Sequence, residues 1–226
     1  MGLFITIEGS DFTGKSSTVI PGLQKALNNV HLPVLVSREP GGTKKGEAIR
    51  KQIFNQRAKG ASALELAMLF NQARAIHLQE KIFPYLGKKK EKKTIVILDR
   101  YLDSTRVYQG YEGGLEMEKI FDLEKKYIDN YLPDLTLLLY LPEDKFYTVM
   151  TERIRDARDH NSWDQDKLSY QLDRQRLYLK LPVLAKSRGE ARVFRLIDAS
   201  KSKGAVVKKC ISACRPYIKK KFNVVI

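Results

Sequence analysis

A glycine-rich segment directly after an apolar run constrains the fold of this chain more than any other feature. The segment extends from Gly9 to Ser16 and reads GSDFTGKS, and the apolar run Leu3–Ile7 precedes it. Two glycines, a lysine and a hydroxyl residue at this spacing are typical of a phosphate-binding loop between a strand and a helix. Because the sequence on both sides also fits, we prefer this interpretation to an ordinary glycine turn and predict a nucleoside triphosphate site.

The residues of this loop suit ATP and magnesium as ligands. The glycines permit a turn that wraps backbone N–H donors around the β-phosphate, and Lys15 can reach the β- and γ-phosphates. The Ser16 hydroxyl can take a position on Mg²⁺. We therefore expect ATP to contact nine successive residues, Gly9, Ser10, Asp11, Phe12, Thr13, Gly14, Lys15, Ser16 and Ser17.

The rest of the chain alternates short apolar runs with longer segments of helical period, as parallel strands joined by crossover helices do. Strands are predicted at residues 3–8, 33–37, 94–98, 134–141 and 192–197. Helices are predicted at 14–28, 45–56, 61–86, 115–130, 144–158, 165–186 and 203–217. Since no repeat or linker divides this pattern, we predict one α/β domain over residues 1–226, with a five-stranded parallel sheet flanked by helices.

The formal charge of +15, from 41 basic and 26 acidic residues, predicts an anionic partner without identifying it. The densest basic runs, Lys88–Lys93 and Lys219–Lys221, fall where a solvated loop and tail are expected, and no nucleic-acid-binding motif accompanies them. We therefore do not expect nucleic acid as a partner. The apolar runs are far shorter than the roughly 20 residues of a membrane-spanning helix, and no signal peptide is recognisable, so we expect no membrane association and a cytoplasmic protein.

A second motif follows the apolar run Ile95–Leu98, where Asp99 and Arg100 stand at the predicted end of a strand. Ligands bind beyond the carboxyl ends of the strands in an open α/β sheet, so both residues should lie beside the glycine-rich loop. Asp99 can hold Mg²⁺ directly or through water, and the planar guanidinium of Arg100 matches phosphate oxygens. A surface ion pair at a strand end is the alternative interpretation.

Four motifs, in this order along the chain, resemble those of thymidylate kinases. They are Ile7–Asp11 (IEGSD), Arg38–Thr43 (REPGGT), Phe70–Arg74 (FNQAR) and Asp99–Gly110, which contains DRY, DST and YQG; Pro133–Thr136 and Asp198–Ser200 are weaker matches. The resemblance covers nearly the whole chain. It implies a three-layer P-loop kinase fold with a mobile lid, which would lie at about residues 150–166. It also implies transfer of the γ-phosphoryl group of ATP to dTMP, which gives dTDP for dTTP biosynthesis.

The resemblance implies how the phosphate and base of dTMP are bound. Arg38 and Arg100 would hold the phosphate, Phe70 would stack on thymine, and Arg74 would donate a hydrogen bond to its edge. Stacking accepts any base, whereas a directed donor rejects a base that offers an amino group instead. Without the motif, Phe70 would be interpreted as a core phenylalanine, but Arg74 lies four residues later on the same predicted helix face.

The remaining implied contacts surround the sugar. Thr105 and Gln109 would line the base and sugar pocket, and Tyr108 would disfavour a 2′-hydroxyl group. Asp11 would lie near the reacting phosphates or the 3′-hydroxyl group. These roles are transferred by position alone, and packing at a helix end is the alternative for Tyr108 and Gln109.

The expected mechanism follows from charge. A nucleoside monophosphate carries about two negative charges at neutral pH, so its oxygen needs no general base, and catalysis should consist of positioning and charge neutralisation. Some family members carry a basic residue in the P-loop where this chain has Phe12, so we expect the lid to supply an arginine. The predicted catalytic residues are Lys15, Asp11, Arg100, Arg153 and Arg158, and Arg155 and Asp198 are assigned to ATP binding.

Three alternatives remain open at this point. Phe12 could redirect the acceptor preference towards another pyrimidine deoxynucleotide. A related kinase could act on a nucleoside, whose hydroxyl needs a base, and Glu8 is the obvious candidate. The high charge would suit a nucleic-acid-binding ATPase. By analogy with the family we also expect a homodimer, formed through the helix between Ser62 and Tyr85.

Overall fold

The computed structural model describes residues 1–155 and 167–226 of the chain. The strands are β1 Leu3–Glu8, β2 Val34–Arg38, β3 Ile95–Asp99, β4 Leu135–Tyr140 and β5 Val193–Asp198. The α-helices are α1 Ile20–Asn28, α2 Lys44–Ala58, α3 Ala63–His77, α4 Phe83–Leu86, α5 Leu102–Thr105, α6 Met117–Ile128, α7 Glu143–Arg155, α8 Leu168–Ser187 and α9 Lys203–Phe222. Three π-helical turns accompany these helices in the described residues. Lys15–Val19 precedes α1, Leu78–Ile82 joins α3 to α4, and Arg106–Glu112 extends α5.

The five strands form one parallel sheet in the order β2-β3-β1-β4-β5. The central strand, β1, pairs with β3 through Leu3 opposite Ile95 and with β4 through Ile5 opposite Leu135. All six residues of β1 are buried, as expected of a strand covered on both faces. The sheet therefore places the carboxyl end of β1 between those of β3 and β4.

Helices cover both faces of the sheet. Alternate residues of β1 such as Leu3 and Ile5 enter a large apolar cluster with side chains of α1, α7 and α9. Phe4 points to the other face, where a second cluster contains Leu98, residues of the segment 78–86 and Ile128 of α6. The architecture confirms the predicted α/β fold with a five-stranded parallel sheet between helices.

The predicted strands agree with the structure to within one residue at every end, but one helical segment was not predicted. Residues 102–112 form α5 and the π-helical turn that follows it. This segment is rich in polar residues and lacks a regular apolar period, so its sequence carries little helical signal. The predicted helix 61–86 is also divided by a π-helical turn, with Pro84 in the first turn of α4.

Buried ion pairs hold the segment 102–112 against the rest of the molecule. Asp103 and Arg192 are fully buried and form a two-point pair, with N–O distances of 2.6 and 2.8 Å. Arg106 donates to Glu124 of α6 at 2.9 and 2.7 Å and to Glu190 at 3.1 and 2.7 Å. The segment is thus fixed by charges that lie far from it in sequence.

Helix α9 buries the two cysteines of the chain, Cys210 and Cys214, and they are not joined by a disulfide. Among residues 1–155 and 167–226, no helix has both the length and the apolar character needed to cross a bilayer.

Candidate active site

The glycine-rich loop leaves the carboxyl end of β1 and borders a cavity of about 980 Å³. The loop requires glycine at two points because Gly9 and Gly14 have φ angles of 134° and 89°. A β-carbon on Gly9 would also lie 2.3 Å from the carbonyl oxygen of Leu139 in the neighbouring strand. The turn after Gly14 is helical and its first residues line the cavity, as a phosphate site at a helix N-terminus requires.

Lys15 is buried inside the loop that it belongs to. Its Nζ atom donates to the carbonyl oxygens of Gly9 at 3.1 Å and Ser10 at 2.7 Å. Burial lowers its pKa to about 8 and the nearby Arg100 contributes to the same shift, whereas Asp11 and Asp99 oppose it. An anion in the cavity would favour the charged ammonium group and offer it a stronger partner than a carbonyl.

Ser16 and Asp99 meet where the loop passes the carboxyl end of β3. The Ser16 hydroxyl donates to Oδ2 of Asp99, and the other carboxylate oxygen, Oδ1, is buried without a hydrogen-bond partner in the described residues. A hydroxyl beside a carboxylate with an unused oxygen fits one edge of a magnesium site. The described residues contain no group of three His, Cys, Asp or Glu side chains arranged for a metal, so most ligands of such an ion would be water and phosphate.

Arg100 links the loop to the acceptor side of the cavity. Its guanidinium donates to Asp11, to the Gly9 carbonyl at 3.1 Å, to Ser104 at 3.2 Å and to Tyr178 at 2.7 Å. Its backbone has a φ of 66°, a conformation that non-glycine residues rarely adopt and that tends to occur at functional sites. The predicted proximity of Arg100 to the glycine-rich loop is confirmed.

Asp11 and Tyr108 form a polar pair on the same side. The Tyr108 hydroxyl donates to Oδ2 of Asp11 at 2.9 Å. Burial would raise the pKa of Asp11, but Arg100, Lys15 and Arg174 together hold it below its ordinary value. Asp11 therefore stays a carboxylate, and its charge fixes the direction of the tyrosine hydroxyl.

Arg74 lies at the wall of the cavity with only 1% of its surface exposed. It donates to Glu39 at 2.8 Å, to Asn71 at 3.0 Å, and through Nη2 to the Tyr101 carbonyl at 3.1 Å and to Thr105 at 3.0 Å. A guanidinium held at so many points has little rotational freedom, so any donor that it presents to the cavity is directed. Glu39, which neutralises Arg74, was missed in the sequence because its partner is 35 residues away.

The other predicted acceptor residues, except Thr105, also line the cavity. Phe70 and Gln109 line it, and the side-chain oxygen of Gln109 is buried without a partner in the described chain. Arg38 lines it as well and pairs with Glu47 at 3.1 Å, with more than half of its side chain exposed. Thr105 is buried and contributes through Arg74.

The opposite end of the cavity is formed by the loop and α7. Phe12 lines the cavity, packs against the large apolar cluster and has a φ of 58°. Arg153 donates to the carbonyl oxygens of Phe12 at 2.9 Å and Ala199 at 2.6 Å. Arg153 thus attaches α7 to both the glycine-rich loop and the segment after β5.

Five predicted residues of the described chain do not line the cavity, namely Gly9, Ser10, Thr105, Arg155 and Asp198. Arg155 is exposed and does not line the cavity. The Asp198 carboxylate accepts hydrogen bonds from the backbone and hydroxyl of Ser200 at 2.8 and 2.7 Å, and its neighbours Ala199 and Lys201 line the cavity in its place. Arg158 and the central part of the predicted lid fall in residues 156–166, outside the described residues.

Sequence reasoning missed several residues that the fold brings to this site. Arg50 and Phe54 of α2 line the cavity one helical turn apart, with the guanidinium carbon 5.0 Å from the ring centroid. Their spacing of four was visible, but nothing in the sequence pointed that face to the cavity. Lys201 and Lys203 also line the cavity without having been predicted, and Tyr178 and Arg174 of α8 contact the site from behind.

Comparison with known proteins agrees with this geometry. The family model described as thymidylate kinase matches residues 7–210. The thymidylate kinase of Bacillus velezensis is 33% identical over 219 residues, which cover 97% of this chain and 98% of the relative. The thymidylate kinase of Bartonella quintana is 34% identical over 217 residues, 96% and 97% of the two chains, and that of Bacillus licheniformis is 34% identical over 208 residues, 92% of each. Matches of this extent across the loop, the acceptor side and the sheet show that the chain belongs to the thymidylate kinase family.

Proposed function

We propose that this chain transfers the γ-phosphoryl group of ATP to dTMP, which gives dTDP and ADP, with Mg²⁺ as the cofactor. Family membership supports an ATP-dependent phosphotransferase acting on dTMP. The observation that carries the proposal is that one cavity joins the glycine-rich loop to Phe70, Arg74 and Tyr108. A donor phosphate site and a base-recognition wall within one cavity are what a nucleoside monophosphate kinase needs.

ATP would bind with its phosphates over the glycine-rich loop. Backbone N–H groups of the loop and of the first helical turn would cradle the β-phosphate, and Lys15 would exchange its carbonyl partners for phosphate oxygens. Ser16 and Asp99 would hold the magnesium ion, which supplies charge neutralisation at the β- and γ-phosphates when bound. Arg153 supports the loop from α7 by holding the Phe12 carbonyl.

The acceptor would lie on the other side of the loop. Arg38 and Arg100 would hold the phosphate of dTMP, and Phe70 would stack on the thymine ring. Arg74 would donate to a thymine carbonyl, and the unsatisfied oxygen of Gln109 suits an N–H donor of the ligand. Asp11 and Tyr108 would lie against the sugar, where the tyrosine ring would crowd a 2′-hydroxyl group.

The reaction would require positioning and charge neutralisation but no general base. The phosphate oxygen of dTMP is already anionic, so it can attack the γ-phosphorus once the two are aligned. Lys15 and Arg100 would offset the charge of the transferring group, and one arginine at that point is worth roughly 10³–10⁵ in rate. We propose that the lid, at about residues 150–166, contributes Arg158, in addition to Arg153, to the cations that offset this charge.

A nucleoside kinase is not favoured by the position of Glu8. This carboxyl group is fully buried, and it accepts hydrogen bonds from the Tyr101 backbone at 2.6 Å and from the Ser104 hydroxyl at 2.8 Å. It does not line the cavity, so it is not placed to take a proton from a bound nucleoside. An acceptor that already carries a phosphate is therefore the better candidate.

The decisive assay is ADP formation from Mg-ATP with dTMP, compared with dUMP, dCMP, dGMP, ribo-TMP and thymidine. We expect the highest kcat/KM with dTMP, and an inert dTMP would overturn the proposal. Arg38→Met should raise KM for dTMP by about 10- to 150-fold, the loss expected for a charged hydrogen bond worth about 1.5–3 kcal/mol. Lys45→Met is the matched control, because it removes an exposed cation of α2 that does not line the cavity.

We also propose that the chain forms a homodimer through α3. Leu64 and Met68 lie four residues apart on this helix, and 42% and 36% of their surfaces are exposed. Adjacent exposed apolar side chains of this kind are common at interfaces between subunits. Sedimentation should give a dimer for the native chain and a monomer for Leu64→Glu with Met68→Glu, and a monomeric native chain at micromolar concentration would contradict the proposal.

A further inference from the structure

Arg174 of α8 is a fully buried arginine immediately behind the acceptor side of the cavity. It donates to both carboxylate oxygens of Glu112 at 2.7 Å each and to the Gln171 side chain at 3.2 Å. Its Nη1 atom lies 3.8 Å from Oδ2 of Asp11. The two-point pair with Glu112 sets the plane of the guanidinium.

The guanidinium of Arg174 lies over the ring of Tyr108. The guanidinium carbon of Arg174 lies 4.5 Å from the ring centroid, which is the distance of a close cation–π contact. Arg100 lies 5.6 Å from the same centroid, and Tyr178 meets the ring edge-on at 6.4 Å. Because the hydroxyl of Tyr108 is bound to Asp11, the ring is fixed at its face, its edge and its tip.

Stability alone is a weak explanation for this arrangement. A buried ion pair loses much of its attraction to the cost of removing two charges from water, and an apolar side chain of similar volume often fills such a position at least as well. Arg174 also adds positive charge near Arg100, although Arg100 already forms an ion pair with Asp11. The distinctive result of an arginine here is the fixed geometry of Asp11 and Tyr108.

We propose that Arg174 is a positioning residue that determines acceptor specificity, because it holds Tyr108 and Asp11 in the orientation that admits a deoxyribose and excludes a 2′-hydroxyl group. It does not line the cavity, so it acts through those two residues and not by touching the acceptor. The inference rests on the proposed function, since it requires the acceptor sugar to lie against Tyr108. Glu112 contributes to the same positioning, because it orients the guanidinium of Arg174.

The test is the Arg174→Met variant, with Arg176→Met as the matched control. Arg176 is on the same helix and also forms a two-point pair, with Glu143, but that pair is exposed. In Arg174→Met we expect KM for dTMP to rise about 10- to 100-fold, since a misplacement of about 1 Å can cost 10²-fold. KM for ATP should stay within about twofold of the native value, and the preference for dTMP over ribo-TMP should fall about tenfold.

A purely structural role would give a different result. It would lower kcat for every acceptor by the same factor, through the fraction of folded enzyme, and would leave KM for dTMP and the preference over ribo-TMP unchanged. That outcome, or a response equal to that of Arg176→Met, would overturn the inference. An absence of dTMP activity in the native chain would instead refute the proposed function, so the two failures are distinguishable.

Glu112→Gln provides a second variant that keeps Arg174 and an amide partner but removes the charge that orients it. If circular dichroism shows that Arg174→Met does not fold, the kinetics of Glu112→Gln test the positioning role instead. We expect KM for dTMP to rise about 3- to 10-fold with the same loss of preference over ribo-TMP. Native kinetics in Glu112→Gln would overturn the inference.

Discussion

The pair between Asp103 and Arg192 allows a sharp prediction about what holds the acceptor side together. Both side chains are fully buried, and the pair joins α5 to the start of β5 across 89 residues of sequence. Arg192→Met would leave the Asp103 carboxylate buried without this partner. Removal of one member of a buried pair costs about 3–5 kcal/mol, because the remaining charge is not compensated.

This loss of stability should be measurable as a lower melting temperature, Tm. For a chain of this size, 1 kcal/mol corresponds to a change of about 2–4 °C in Tm, so Arg192→Met should lower Tm by about 6–20 °C. Arg176→Met breaks a pair of similar geometry that is exposed, and such pairs often contribute nothing measurable. Melting curves of the three ligand-free proteins at one pH would make the comparison.

A double variant separates two effects on stability, the loss of the ion-pair attraction and the cost of leaving one buried charge without its partner. Asp103→Leu combined with Arg192→Met removes both charges, so it should melt at a higher temperature than Arg192→Met alone. If Arg192→Met and the double variant have equal melting temperatures, or if Arg192→Met melts like the exposed control, then the buried pair does not hold α5 in place and the reasoning is refuted.

Three further predictions follow from the site and the core. Ser16→Ala and Asp99→Asn should each weaken the dependence of the rate on magnesium, measured as a higher half-saturating Mg²⁺ concentration at fixed ATP; an unchanged curve would exclude this edge as the metal site. Burial, reinforced by the charge of Asp103, raises the pKa of Glu8 from 4.5 to about 8 in the folded state. Because the folded state then holds a proton that the unfolded state releases, the free energy of unfolding should fall as pH rises from about 5 to 8. Glu8→Gln should remove that fall, and parallel plots of Tm against pH for the two proteins would contradict it. Burial raises the pKa of Cys210 to about 12 and that of Cys214 also above its ordinary value, so both thiols should react with a disulfide reagent only after unfolding, and rapid labelling of the native chain would disprove this.

The strands and the glycine-rich loop could be predicted because their signals are local. Strand β1 is apolar at most positions and leads directly into the loop, so the phosphate site was predicted from residues 3–16 alone, and the alternation of short apolar runs with helical segments gave the fold class. Asp99 and Arg100 could be placed beside the loop because a parallel sheet gathers the carboxyl ends of its strands. These are general properties of the architecture, and they need no knowledge of distant contacts.

The parts that escaped prediction depend on contacts between distant residues. The helical segment 102–112 is held by Arg192 and Glu190, more than 80 residues away, and its own sequence gives no apolar period. Arg174 and Tyr178 looked like ordinary residues of a long helix, and only the packing of α8 turns them towards Asp11 and Arg100. A single sequence does not show which face of such a helix meets the site.

The position of β1 in the middle of the sheet also has a consequence for biosynthesis. The first neighbour to be translated is β3, whose Val96 pairs with Phe4 92 residues later, and the Phe4 backbone N–H donates to Asp134, just before β4, 130 residues later. At about 5–20 residues per second, roughly 5–18 s pass before β3 is translated and roughly 6–26 s before β4, so in the first interval the apolar strand has no neighbour to pair with. A nascent chain stalled before β4 would lack one side of the sheet beside the glycine-rich loop, and the first interval is long enough for a chaperone to be the first partner that β1 meets.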